Sequence, residues 1–219
     1  MTENKAAMAQ QTQAGRAIES QSFTLIDALI AERGGHHYSA LQWPIVRRAI
    51  HTSGDLEFSE LFEFSPQAVE SGITALRRGA SIICDVSMIV SGVNRKRLDI
   101  YQNTLHCFIQ SDATITRAAH QHTTRAVAAM DYAAEQGLLD GAIVAIGNAP
   151  TALLRLLEWV QRGAQPALVI GLPVGFVQAA ESKQALCAQH LCEFISCRGY
   201  KGGSPLVVAT LHALLGQSV

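Results

Sequence analysis

The sequence predicts a single α/β domain of three layers, α/β/α, built on a mostly parallel five-stranded sheet. Three observations carry this. Five short apolar runs recur at residues 81–85, 104–109, 142–146, 167–170 and 193–197. Stretches with apolar residues at helical spacing stand between them, and glycine-rich turns separate the two kinds. The runs are apolar without strict alternation, as strands covered on both faces should be.

The elements follow in order. Residues 1–15 are polar and read as a flexible segment; 16–219 read as the single domain. From Arg16 to about Arg33, Ile18, Phe23, Leu25, Ile26, Leu29 and Ile30 have helical spacing, and Gly34-Gly35 stops them, with Ser22 and Phe23 mid-helix or at a break. Ser39 and Gln42 form a capping-box start for a second helix, along which Leu41/Ile45 and Val46/Ile50 pair before Gly54 ends it. A polar turn follows, then Ser65-Pro66 opens a helix with Val69, Ile73 and Leu76 on one face. The first strand delivers Asp85 at its end, and a helix runs through Met88, Ile89 and Val90 to Gly92. The basic run Asn94-Arg95-Lys96-Arg97 reads as a loop. Thr104–Ile109 reads as the second strand, and residues 113–136 as one long or broken helix with Arg125 inside it. The remaining three strands lead into helices through Gly147–Thr151, Gly171–Gly175 and Arg198–Gly203.

The chain has 17 basic and 18 acidic residues, so nothing in its global charge steers it to nucleic acid or to a membrane surface. No apolar run reaches a membrane span and the polar start lacks a signal-peptide core, which points to the cytoplasm. Five cysteines without a C-x-x-C argue against a disulfide framework and a common zinc site. Cys187, His190, Cys192 and Cys197 crowd one stretch, but their spacing fits no standard metal site and small buried thiols suit it better.

In a parallel sheet the ligand lies beyond the carboxyl ends of the strands, which here carry Asp85, Asn148, Pro150 and the loops 171–175 and 198–204. Such loops and helix N-termini suit carboxylates or phosphates, although glycine there is also ordinary punctuation. The dinucleotide, P-loop, nucleophile-elbow and zincin signatures are absent. His51, in the stretch Arg47–Asp55, is the candidate for proton chemistry. It sits in the last turn of its helix, where free carbonyls favour an imidazolium and Arg48 opposes one; a plain surface cap is the alternative. Asp85 and Asn148 either serve the site or cap the helices that follow them.

Several of these segments, in order, resemble one family: Ser22-Phe23, Arg48-x-x-His51, Gly79-Ala80 with Asp85 and Met88, Thr124-Arg125, and Gly147-Asn148-Ala149-Pro150-Thr151-Ala152-Leu153. Gly171-x-Pro173-Val174-Gly175-Phe176-Val177 with Glu181-Ser182-Lys183 follows, and Arg198-Gly199 with Gly202-Gly203-Ser204 closes the set. The family is that of the precorrin-8X methylmutases, including the cobalt-precorrin-8 form, of cobalamin biosynthesis.

The resemblance implies an isomerase that shifts a methyl group from carbon eleven to carbon twelve of a corrin precursor, giving hydrogenobyrinate or its cobalt counterpart, without cofactor or bound metal. It implies that His51 is catalytic, giving a proton or hydrogen bond to a ring nitrogen. By the same resemblance, Ser22, Arg48, Thr52, Asp85, Met88, Arg125, Asn148, Arg198, Gly203 and Ser204 bind the tetrapyrrole and its many carboxylates. The implied partners are a second copy of the chain, in a homodimer, and neighbouring enzymes of the corrin pathway. Gln21, Tyr200 and Ser111 depart from the family pattern, where arginine, a basic residue and aspartate are usual. Arg48 could instead serve a structural ion pair and Lys201 lie simply in solvent. Two other readings stand beside the methylmutase: a non-catalytic corrinoid-binding or carrier protein, and an unrelated α/β enzyme acting on a phosphorylated metabolite.

Overall fold

Each parallel strand divides its side chains between two cores, and that division fixes the three layers. The computed structural model describes residues 12–218. The strands are β1 (Phe62–Phe64), β2 (Ile82–Cys84), β3 (Leu105–His106), β4 (Ile143–Ile146), β5 (Leu168–Gly171) and β6 (Phe194–Cys197). Ile82, Cys84, Ile143, Ala145, Leu168, Ile170, Ile195 and Cys197 enter one core, while Ile83, Val144, Ile146, Val169 and Phe194 enter the other. This is the two-residue period of a pleated strand buried on both faces.

The first core is closed by α1 (Gln13–Glu32), α2 (Trp43–Ser53), α3 (Phe58–Leu61), α4 (Ala68–Arg77), α5 (Ser87–Gly92) and α6 (Arg95–Asp99), together with the terminal helix. α7 (Asp112–His120) packs on α8 (Arg125–Glu135), and α8, α9 (Pro150–Gln161) and α10 (Ala179–Ala188) cover the second core. The terminal helix α11 (Ser204–Gln217) packs against α2, α4, α5, β4 and β5. Being enclosed on several sides, it is apolar around most of its circumference, and burial of each Leu or Val there contributes about 1.5–3 kcal/mol.

The strand order is β1-β6-β5-β4-β2-β3, all parallel except β1. The mostly parallel α/β architecture agrees with the sequence, but the sheet has six strands rather than five. The sixth, β1, falls within the expected polar turn and pairs antiparallel with β6 at the sheet edge. Tyr38 holds it: the hydroxyl accepts from the Phe62 amide at 3.1 Å and donates to the Phe62 carbonyl at 3.3 Å. Burial raises the Tyr38 phenol to about 12, so it stays a neutral donor.

Other boundaries also move. The basic run 94–97 is not a loop, because the Asn94 side chain accepts from the Arg97 amide and starts α6. The second strand shrinks to Leu105–His106. The expected helix over 113–136 is broken: His122 takes a left-handed conformation (φ 51°) after α7, and Thr124 caps α8. Arg125 is therefore the first residue of α8 rather than an interior one. Ser22 and Phe23 lie within an unbroken α1. The expected flexible segment lies outside the described residues as far as Gln11, and Gln13–Gly15 belong to α1. Among the described residues, no helix is long and apolar enough to cross a membrane.

Candidate active site

The sheet reverses its direction of growth between β2 and β4. After β2 the chain turns into α5 on the first core, and after β4 it turns into α9 on the second, so a crevice opens between the two strand ends. Asp85, at the end of β2, spans that crevice. Its carboxylate accepts the amides of Gly147 at 3.1 Å, Asn148 at 2.8 Å and Ala149 at 2.9 Å. Burial pushes the carboxyl up while the three amides pull it down. Asp85 is buried and its oxygens are engaged, so the expectation that it touches substrate is corrected: it shapes the loop after β4. The alternative, a cap on its own helix, also fails, since the N-cap of α5 is Val86.

That loop meets the start of α11 closely. A Cβ on Gly147 would lie 2.7 Å from Ser204 Cα, so glycine is required for the approach. Gly203 (φ 122°) donates its amide to the Leu172 carbonyl at 2.7 Å, which joins the β5 loop to the same place. Three strand-end loops thus converge on the N-terminus of α11.

Across from them stands the seam between α1 and α2. Ser39 N–H donates to Gln42 Oε1 at 3.0 Å and Gln42 N–H to Ser39 Oγ at 3.3 Å, the bonds expected of the capping box, but they close a turn ahead of the helix, which starts at Trp43 with Gln42 as its N-cap. Arg48 pairs with Glu19 at 2.8 Å, and one turn further along both helices the Ser22 hydroxyl lies 2.8 Å from His51 Nδ1. Phe23 fills the space between, edge-on to the His51 ring at 5.3 Å, with the Arg47 and Arg48 guanidiniums 4.6 and 5.3 Å from its centroid. His51 is exposed, and among the described residues nothing bonds its Nε2. The plain-cap alternative does not account for the bond to Ser22.

Beside His51 a cleft of about 300 Å³ runs between α2, α5 and α11, lined by Arg48, Thr52, Met88, Gly92, Ser204, Pro205, Val208, Ala209 and His212. Thr52 and Pro205 also line a second recess of about 400 Å³ with Asp55, Phe58, Val174, Lys201 and Gly202. Val174 and Lys201 border a third of about 490 Å³, which includes Phe176, Arg198 and Tyr200. Shared walls make the three one groove along the strand ends.

The fold therefore gathers Arg48, Thr52, Met88 and Ser204 in one cleft, with His51 at its rim and Ser22 behind it. Arg198 stands at the far end of the groove, held to the Glu60 carbonyl and 3.3 Å from Glu63. Lys201 is not simply solvated: its ammonium bonds Asp55, and Glu57 at 2.6 Å, and these carboxylates raise its pKa. Arg125 and Asn148 lie outside the groove lining. Both are exposed on the second-core side of the crevice, where Thr124 and Thr151 hydroxyls join their loops at 3.3 Å. Asn148 is not the cap of α9: Ala149 is its N-cap, no side chain caps it, and Asp85 holds the loop before it through the Gly147, Asn148 and Ala149 amides.

His212 is the residue that sequence reasoning missed, although it is the one ionisable side chain in a strongly apolar helix. Of the cysteine cluster, Cys197 is buried and donates to the Lys201 carbonyl at 3.1 Å, while burial pushes Cys187 and Cys192 up to about 11. Among the described residues no group of three or more His, Cys, Asp or Glu side chains could hold a metal ion.

The chain is similar to known proteins along nearly its whole length. Residues 17–217 match the family model described as precorrin-8X methylmutase. A cobalt-precorrin-8 methylmutase of Leptospira interrogans is 42% identical over 214 residues, 95% of this chain and 96% of that protein. A precorrin-8X methylmutase of a Sinorhizobium species is 41% identical over 91% of this chain and 93% of its own length. The crystal structure of the precorrin-8X methylmutase of Thermus thermophilus superposes with a TM-score of 0.87 at 48% identity, covering 93% of this chain and 96% of that one.

Proposed function

The chain belongs to the precorrin-8X methylmutase family and is an isomerase of cobalamin biosynthesis, and on that premise we propose that His51 drives a methyl shift from carbon eleven to carbon twelve of its tetrapyrrole substrate. The carrying observation is the Ser22–His51 hydrogen bond at the rim of the groove. A sigmatropic methyl shift breaks one C–C bond as it forms another within the same molecule. It needs no nucleophile and no redox partner; it needs a macrocycle that is correctly placed and made electron-poor.

With Ser22 as the donor to Nδ1, the imidazole proton lies on Nε2, to which no described residue bonds. From there Nε2–H donates a hydrogen bond to a ring nitrogen, drawing electron density from the carbon that the methyl leaves. Such general-acid help is worth about 10²–10⁴ in rate. Arg48, Thr52, Met88, Gly203, Ser204 and Arg198 serve the rim of the macrocycle along the groove, and Arg125 and Asn148 reach it from across the crevice. The Arg48–Glu19 pair shows a structural service for Arg48 as well, and the two uses are compatible.

We also infer a homodimer. Ile18, Leu25 and Leu29 lie on one face of α1 at spacings of seven and four, and they are 67%, 58% and 43% exposed. A second copy covers this face, and the protein works in the cytoplasm beside other enzymes of the corrin pathway. A corrinoid carrier is not favoured, because the relatives matched over at least nine-tenths of this chain are named as methylmutases.

Mixing purified protein with precorrin-8X, and separately with cobalt-precorrin-8, tests the reading. Visible absorption should change to the corrin spectrum with at least one of them. Binding of both pigments without conversion would restore the carrier.

A further inference from the structure

Lys183 lies midway along α10, is 1% exposed and lines none of the three recesses of the groove. Its Nζ donates to the Lys201 carbonyl at 2.5 Å and to Cys197 Sγ at 3.6 Å. The Cys197 thiol donates to the same carbonyl at 3.1 Å, so two buried donors converge on one main-chain oxygen. Among the described residues, the titratable groups that act on Lys183 are Cys197 and Cys187, and no carboxylate is one of them. Burial pushes its pKa below the usual lysine range. An amine buried in this way costs desolvation that an apolar side chain of similar length would avoid. What only the amine supplies is the grip on the Lys201 carbonyl.

Lys201 is also held at its other end. Its ammonium bonds Asp55, and Glu57 at 2.6 Å. Asp55 follows Gly54, the left-handed C-cap of α2, one turn beyond His51. The Asp55 carboxylate also accepts the Glu57 amide at 3.0 Å, and the Asp55 amide donates to Ser53 Oγ at 3.2 Å, so the turn after the His51 helix is fixed from within. On the other side, a Cβ on Gly202 would collide with the Leu172 carbonyl, to which the Gly203 amide donates at 2.7 Å. One continuous line of contacts therefore runs from α10 through Lys201 to the end of α2. It crosses the groove, since Asp55 lines one recess, Glu57 the next and Lys201 both.

We propose that Lys183 is a positioning residue for the methyl shift: by gripping the Lys201 carbonyl it anchors a strut whose far end, the tie from Lys201 to Asp55 and Glu57, sets where the His51 helix ends relative to the loops after β5 and β6. The inference rests on the methylmutase reading for the reaction that is positioned. Lys183 itself touches no substrate and exchanges no proton with it. The loops place the macrocycle and α2 carries the imidazole, so the strut fixes the separation of the two. A misplacement of about 1 Å between reacting groups costs about 10²-fold in rate.

The test is steady-state turnover of precorrin-8X or cobalt-precorrin-8, whichever the wild type converts, with kcat expressed per hydrogenobyrinate-binding site counted by equilibrium dialysis. Lys183→Met keeps the length of the side chain and removes the donor. It should lower kcat about tenfold while Kd for hydrogenobyrinate stays within about threefold. Lys201→Met cuts the strut at its other end, on a side chain 40% exposed whose replacement leaves the core intact, and should do the same. The double variant should be no slower than the slower single one, because one strut can be cut only once. A stabilising role alone would lower the urea midpoint and leave kcat per site as in the wild type. Wild-type kcat in Lys201→Met, a loss that falls on Kd instead of kcat, or single losses that multiply to about a hundredfold in the double variant would each overturn the strut alone. If Lys183→Met does not fold, Lys201→Met decides by the same criteria. A wild type that converts neither pigment would overturn the functional reading and the strut's role with it.

Discussion

The hydroxyl of Ser22 and Nδ1 of His51 lie 2.8 Å apart across the seam of two helices, 29 residues apart in the chain. The contact is aligned by the Arg48–Glu19 pair one turn earlier on both helices and by the Phe23 ring between them. If Ser22 fixes the proton on Nε2, Ser22→Ala should lower kcat by about tenfold or more and leave KM nearly unchanged. Steady-state kinetics on the natural substrate measure both. A large rise in KM with kcat intact would make Ser22 a binding residue instead.

Asp85 gives a prediction about stability. Asparagine in its place would turn an amide toward one or more of the three backbone N–H donors, leaving a buried donor unmet at a cost of about 1–3 kcal/mol. Urea denaturation of Asp85→Asn should show a lower midpoint with an unchanged slope. A variant as stable as the wild type but unable to bind pigment would return Asp85 to the list of substrate contacts.

His212 makes acid destabilising. Its pKa is depressed to about 4 in the folded chain, against about 6.5 when unfolded, so the unfolded state takes up a proton first as pH falls. The stability tied to this neutral ring is fully present above about pH 6.5 and is lost progressively down to about pH 4, with on the order of 2 kcal/mol gone by pH 5. Unfolding at pH 7 and pH 5 should show a smaller difference for His212→Gln than for the wild type. Equal differences would mean that His212 titrates normally.

The exposed face of α1 predicts a dimer that a charge will split. Leu25→Glu should move the sedimentation coefficient from dimer to monomer at micromolar concentration, since a carboxylate buried without a partner is costly. A monomeric wild type would contradict the interface.

What the sequence made legible was local. Runs such as Ala142–Ile146 and the Ser204-Pro205 helix start depend on neighbours a few residues away, and they form where the pattern placed them, while the Ser39/Gln42 bonds form but the helix starts only at Trp43. The stretch Phe62–Phe64 was missed because three residues become a strand only through Tyr38 and β6. Asp85 was misread for the same reason, its amide partners beginning 62 residues further on. The motifs placed Arg48, Thr52, Met88 and Ser204 in one site, and the cleft brings those four together. His212 stood out in its helix, but its meaning depends on Arg97 and Arg48, which arrive from other elements.

The most direct test of the account is the absorption time course of substrate mixed with the wild type and with His51→Asn, each first shown to fold and to bind hydrogenobyrinate. The account predicts conversion to the corrin spectrum by the wild type and a rate lower by about 10²-fold or more in the variant, at similar affinity. Near-normal conversion by His51→Asn would contradict it.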